Sequence, residues 1–166
     1  LLRQAGKLND WVTWNLQTDI GMTCGGEVKL FFEVHTHSNW PIVVFGAGHI
    51  SQALVRLLLT LHCHVTCIDT RSEWLEKLPK HPKLHAVLAD TPHELVAAQP
   101  ENAYFALMSK GHATDLPVLA EVLKTRQAPY VGVIGSRQKA SVLRRDLKAL
   151  ELPPEVIASF HCPMGL

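Results

Sequence analysis

The chain has 166 residues and a formal net charge of +1, with 47% hydrophobic and 19% charged side chains. That is globular composition, with apolar material for the core of one ordinary domain plus a small appendage. The near balance of 16 basic and 15 acidic residues excludes an electrostatic footprint for duplex nucleic acid or an anionic membrane surface, and no apolar run approaches the roughly 20 residues of a membrane span.

The opening LLRQAGKLNDW has neither the apolar core nor the cleavage site of an export signal, and no initiator Met, so nothing points to export and the chain reads as a possible fragment. Residues 1–40 form the first predicted segment, within which Val28, Leu30, Phe32 and Val34 alternate as on a strand half-buried on one face. Cys24-Gly25-Gly26 before it reads as a tight turn. Cys24 is there either as an accessible, reactive thiol or as a small turn residue. His35 and His37 share a strand face, but no further metal ligand accompanies them, so no metal site is expected.

Residues 41–166 alternate strand and helix. Strand-length apolar runs fall at 42–45, 64–69, 84–89, 103–108 and 130–135, with a weaker one at 156–160. The helix after Gly48 places Ile50, Leu54, Leu57, Leu58 and Leu61 on one stripe. Thr91 and Glu94 stand at capping-box spacing around Pro92. Two more helices follow at 113–126 and 136–150, the last with Ala140, Leu143, Leu147 and Leu150 as its buried stripe. Near-continuous apolar strands between helices predict an α/β domain with a Rossmann-like, doubly wound parallel sheet, preceded by the small β-containing segment. Of the four scattered cysteines, Cys63 and Cys67 lie on one strand face, where free thiols pack well, and no disulfide framework is expected.

The glycine turn carries the chemistry. In IVVFGAGHIS, Gly46 and Gly48 follow a strand and open a helix, Ser51 takes the third glycine's place, and Asp69 closes the next strand 21 residues after Gly48. This is dinucleotide-fold spacing, with an anionic phosphate expected at the helix N-terminus. Asp69 would favour a ribose diol, hence NAD over NADP, although Arg71 beside it points the other way. The alternative is that the glycines merely permit a tight turn while Asp69 caps the segment at Ser72. Arg137 and Lys139 sit in the first turn of a helix opened by Ser136, where cations oppose the dipole. Either a bound anion reverses that cost or the face is simply solvated. Ser109, His112 and Asp115 invite a triad reading, but no nucleophile elbow surrounds the serine. The other reading is a ligand-contacting loop in which His112 and Asp115 pair on the helix's first turn.

Taken together, CGGEVKLFFE, VVFGAGHISQALVRLL, VTCIDTRSEW, SKGHATDL, VGVIGSRQKA and HCPMGL resemble, in order, the motifs of the XdhC/CoxI family of xanthine dehydrogenase accessory proteins. The resemblance divides the chain into 1–40, a remnant of an N-terminal domain, and 41–166, a Rossmann-like C-terminal domain. It implies a cytoplasmic, dimeric chaperone rather than an enzyme. Such a protein binds the molybdenum cofactor (molybdopterin), supports its sulfuration with a cysteine desulfurase, and delivers it to a xanthine dehydrogenase-type molybdenum hydroxylase. The family's motif positions fall here on Cys24, Gly46, Gly48, His49, Asp69, Arg71, His112, Asp115, Ser136, Arg137, Lys139 and Cys162, with Ser51 standing where a glycine is common. The rival functions from the residues alone are an NAD(P)-dependent oxidoreductase, for which no substrate domain fits outside the α/β unit, and a nucleotide-sensing regulatory module.

Overall fold

The computed structural model describes residues 9–23, 25–33 and 40–165. The chain divides into two units, Leu1–His37 and Ser38–Leu166. Cys24, His35 and His37 lie outside the described residues, as does Val34.

The first unit is a hairpin. Strands β1 (Asn9–Asn15) and β2 (Glu27–Glu33) pair antiparallel from Asn9↔Glu33 to Asn15↔Glu27. The alternation at Val28 and Leu30 anticipated β2, and both are half-buried, but Phe32 is exposed. A two-stranded ribbon has too little surface to cover large rings. Its aromatics pair across the strands instead: Trp11 lies opposite Phe31 with centroids 4.9 Å apart, and Trp14 meets Phe32 edge-on at 6.3 Å. β1 itself escaped the sequence reading, because TWNLQTD breaks the period that marks a strand.

The second unit holds β3 (Trp40–Phe45), α1 (His49–Leu58), β4 (Cys63–Asp69), α2 (Ser72–Leu75), β5 (Leu84–Leu88), a 3₁₀ turn (Pro92–Leu95), β6 (Tyr104–Leu107), α3 (His112–Thr125), β7 (Tyr130–Val133), α4 (Arg137–Ala149) and α5 (Pro154–Ala158). The five strands pair in parallel in the order β5-β4-β3-β6-β7. This is the doubly wound sheet that the apolar runs predicted. One face, with Ile42, Val44, Val65 and Cys67, packs with Val55, Leu58 and Leu78; Cys63 lies in the same cluster, so both thiols are core residues as expected. The other face, with Val43, Phe45, Phe105 and Val131, packs against Leu119 and Val122 of α3, Leu143 and Leu147 of α4, and Phe160. Strand order reverses at β3, between β4 and β6, so the ligand crevice of such a sheet opens at the carboxyl ends of β3 and β6.

Four local expectations change. Helix α1 buries Ser51, Gln52, Val55 and Leu58, whereas Ile50, Leu57 and Leu61 of the expected stripe are exposed. The glycine turn sets where α1 begins, and Ser51 lies against the sheet with its hydroxyl 3.5 Å from the Met108 sulfur. Leu54 and Leu58 of the stripe do pack on the core, together with Val55. The weak strand at 156–160 is replaced by helix α5, started by Pro154 in its first turn. The residue that joins β7 is His161, bridged to Gly132, with its N–H donating to Val131 O at 2.9 Å. At the proposed capping box, the Thr91 hydroxyl donates to Glu94 Oε2 at 2.8 Å, so the two side chains satisfy each other, and only a 3₁₀ turn forms. Leu150 of the α4 stripe is exposed, just beyond the helix end.

Candidate functional site

The turn after β3 is built from its glycines outward. Gly46 has φ +107°, and a Cβ there would collide with the backbone of Met108 and Ser109, which follow β6. Only glycine lets the two strand ends approach. Its N–H donates to Ile68 O at 2.7 Å, and the next N–H, of the fully buried Ala47, donates to Asp69 Oδ2 at 2.7 Å. Gly48 differs. It is the N-cap of α1 with φ −65°, open to any residue, and an added Cβ would meet nothing within 4 Å. The chain's own packing does not require a glycine here; a ligand approaching the backbone would. Helix α1 has no side-chain cap and no acid in its first turn, so its orphan N–H groups face open space with the positive dipole end. Exposed His49 begins the helix, its ring meeting Trp74 edge-on at 4.8 Å.

Asp69 stands at the end of β4 as the spacing predicted, but its carboxylate is turned inward. Oδ1 accepts from Arg71 N–H at 3.0 Å and Arg71 Nε at 2.9 Å, and Oδ2 accepts from Arg71 Nη2 at 2.9 Å besides Ala47. Burial pushes its pKa up, and the hydrogen bonds from the Arg71 side chain and Ala47 outweigh that, holding the carboxyl below its ordinary value. The N-terminus of α2 receives no side-chain cap, so Asp69 does not cap the segment at Ser72.

The loop after β6 and the start of α4 interlock. Asp115, 1% exposed, accepts from Ser109 Oγ at 2.5 Å and Ser109 N–H at 3.3 Å, while its other oxygen meets Lys139 Nζ at 2.5 Å. Lys139 Nζ also donates to Ile134 O at 2.9 Å, and its aliphatic stem lies over Gly135, where a Cβ would clash with it. Ser136 caps α4 by accepting from Lys139 N–H at 3.2 Å. The anion that faces the first-turn lysine here is the protein's own Asp115. Arg137 remains exposed.

His112 does not pair with Asp115. Its Nε2 lies 2.9 Å from Asp146 Oδ2, on α4 and 34 residues away. Ser109 bonds to Asp115 and Thr114, not to a histidine, so the triad is absent. Gly111 is the N-cap of α3, and Thr114 Oγ1 donates to Gly111 O at 2.9 Å. Cys162 sits half-buried beyond β7, 3.8 Å from Ser136 O. Burial raises its thiol pKa, against the lowering effect of Lys139 and Arg144.

The crevice at the switch point is lined by Phe45, Gly46, Asp69, Pro92, Ser109 and Lys110 and encloses about 20 Å³. That is room for about one water, so a ligand would lie along the outer rim. The structure thus gathers Gly46, Gly48, His49, Ser51, Asp69 and Arg71 around one turn, and Asp115, Ser136, Lys139 and Cys162 around another. Of the side chains at the first, Trp74 carried no sequence signal beyond the motif VTCIDTRSEW, and Lys77, which lies over the Trp74 ring, carried none. Asp146 carried none, since its partner is 34 residues away. Among the described residues, no three of His, Cys, Asp and Glu gather as a metal site requires, and no helix is long and apolar enough to cross a membrane.

The sequence model of the family described as "XdhC Rossmann domain" matches residues 42–166, and the chain belongs to that family. It is 28% identical over 149 residues to YqeB, an uncharacterized protein of Escherichia coli K12, covering 88% of this chain and 27% of YqeB. Among solved structures, a xanthine dehydrogenase from Bacillus halodurans is similar in fold, with a TM-score of 0.63 and 19% identity over 84% of this chain and 40% of that one. The chain therefore spans well under half the length of both relatives.

Proposed function

We propose that this member of the XdhC family is an accessory protein that binds a phosphate-bearing pterin, the molybdenum cofactor, and hands it to a xanthine dehydrogenase-type molybdenum hydroxylase. The observation that carries the reading is Gly48. It has unstrained backbone, open space where a side chain would be, and the bare first turn of α1 behind it. Such a cradle suits a phosphate, so the phosphate end of the cofactor fits the residues present. When bound, the group would supply its own molybdenum and sulfur chemistry. The protein's part is to hold the phosphate on the N–H groups of Gly48, His49 and Ile50 and to orient the rest along the crevice rim.

Cys162, beside the Ser136–Lys139 turn, and Cys24 are the thiols in this proposal for soft contact with the metal or for holding sulfur. Sulfuration by a cysteine desulfurase and action as a homodimer belong to the same proposal. Ser109 bonds to Asp115 and Thr114 rather than to a histidine, which supports a binding role over a serine-nucleophile one.

The test is a fluorescence titration of the purified chain with metal-free molybdopterin, alongside a Gly48→Val variant. Saturable binding by the parent chain, lost in a variant that stays folded by circular dichroism, is the expected outcome. Equal binding by both would remove the turn from the site.

A further inference from the structure

In a dinucleotide fold the acid at the end of the second strand receives a ribose diol. Here the structure takes Asp69 out of that role. A carboxylate has about four acceptor positions, and four donors already converge on this one: Ala47 N–H and Arg71 N–H, Nε and Nη2. With 4% of its side chain exposed, Asp69 has neither surface nor lone pairs left for a sugar.

What faces outward at the same corner is cationic and aromatic. Arg71 keeps a quarter of its side chain exposed, and its Nη1 has no hydrogen-bond partner among the described residues. Its guanidinium stacks over Trp74 at 5.1 Å, and Lys77 Nζ lies over the same ring at 4.2 Å. His49, the first residue of α1, touches the edge of that ring. Arg56 ties the group to the helix, donating to Gln52 O at 3.1 Å and Lys77 O at 3.2 Å. Glu73 is a further acid whose charge reaches Arg71. Trp74 holds two cations next to the helix N-terminus, where a compact dianion would receive several charge-assisted hydrogen bonds.

We propose that His49, Arg71, Trp74 and Lys77 form a phosphomonoester subsite, continuous with the first turn of α1, which selects ligands ending in a phosphate over ligands presenting a bare ribose diol. This rests on the reading of the glycine turn as a phosphate-binding site. It reverses the preference for NAD over NADP that Asp69 suggests by position alone. The phosphate could belong to a pterin or to a 2′-phosphorylated nucleotide; the chemistry recognised is the same.

Isothermal titration of the full chain with NAD⁺, NADP⁺ and metal-free molybdopterin tests it. A ligand ending in a phosphomonoester is expected to bind about tenfold or more tightly than NAD⁺, the scale of one or two charge-assisted contacts. Lys77→Ala, which touches neither Asp69 nor the turn, should bring that ratio down severalfold, and Arg71→Gln further, without weakening NAD⁺ to the same degree. Which of NADP⁺ and molybdopterin responds to both variants identifies the source of the phosphate. NAD⁺ binding as tightly as both phosphomonoester ligands, or losing as much as they do in Lys77→Ala, would overturn the subsite while leaving the glycine-turn reading intact. Binding of none of the three would overturn both.

Discussion

Lys139 separates a structural reading of the Gly-Ser-Arg-x-Lys segment from a ligand-binding one. Its ammonium contacts the carboxylate of Asp115 at 2.5 Å and Ile134 O at 2.9 Å, and Asp115 is 1% exposed. Lys139→Met keeps the aliphatic stem over Gly135 and deletes only the charge. Asp115 is then left as a buried anion with Ser109 as its remaining donor. Breaking a buried pair in this way costs about 3–5 kcal/mol, because the surviving charge cannot return to water. For a unit of this size about 1 kcal/mol moves the melting temperature by roughly 3–5 °C, so the variant should melt about 10–20 °C below the parent. The double variant Asp115→Asn/Lys139→Met removes both charges and keeps an oxygen to accept from Ser109. It should recover at least half of the loss, with a coupling energy of about 2 kcal/mol in the four-protein cycle. Thermal unfolding followed by circular dichroism, with urea titration as a check, measures all four proteins. A fall of under about 2 °C in Lys139→Met would refute the argument and return Lys139 to the pool of ligand contacts.

The two glycines of the turn should part company. Gly46→Ala forces a Cβ into the Met108–Ser109 backbone at a positive φ and should cost at least about 3 kcal/mol, whereas Gly48→Ala should change urea stability by less than about 1 kcal/mol; equal losses would contradict the geometry. Brief iodoacetamide treatment of the native chain, read by mass spectrometry, should spare Cys63 and Cys67, since burial pushes the Cys67 thiol up to about 12 and raises Cys63 as well. Rapid native labelling of Cys67 would show that β4 opens. The folded Asp69 carboxyl lies below its unfolded value, so its contribution is complete above about pH 4 and is lost as pH falls through the depressed folded value. Acid unfolding curves should therefore show an Asp69→Asn variant losing stability relative to the parent at pH 7, with the gap narrowing below about pH 4; a gap that widens on acidification would reverse the sign.

Much of this molecule is legible from short-range pattern. The five parallel strands follow from apolar runs bounded by turns, and their alternation with helices leaves a doubly wound sheet as the economical way to bury them. The glycine turn and its distance to Asp69 are likewise local chemistry, because φ +107° at Gly46 admits little else. The partners of the polar side chains were decided only in three dimensions. Whether Asp69 offers its oxygens to a ligand depends on Arg71 folding back and on Ala47, 22 residues earlier, pointing its N–H inward. Lys139 gained a buried counter-ion 24 residues away, and His112 gained Asp146 from the neighbouring helix. Helix α1 turns Ser51, Gln52, Val55 and Leu58 to the core and leaves Ile50 and Leu57 of its leucine-rich stripe exposed. Periodicity records how much of a segment is apolar, but a hydrogen bond or ion pair is chosen by which elements the sheet order brings within 3 Å. That order is a property of the whole chain.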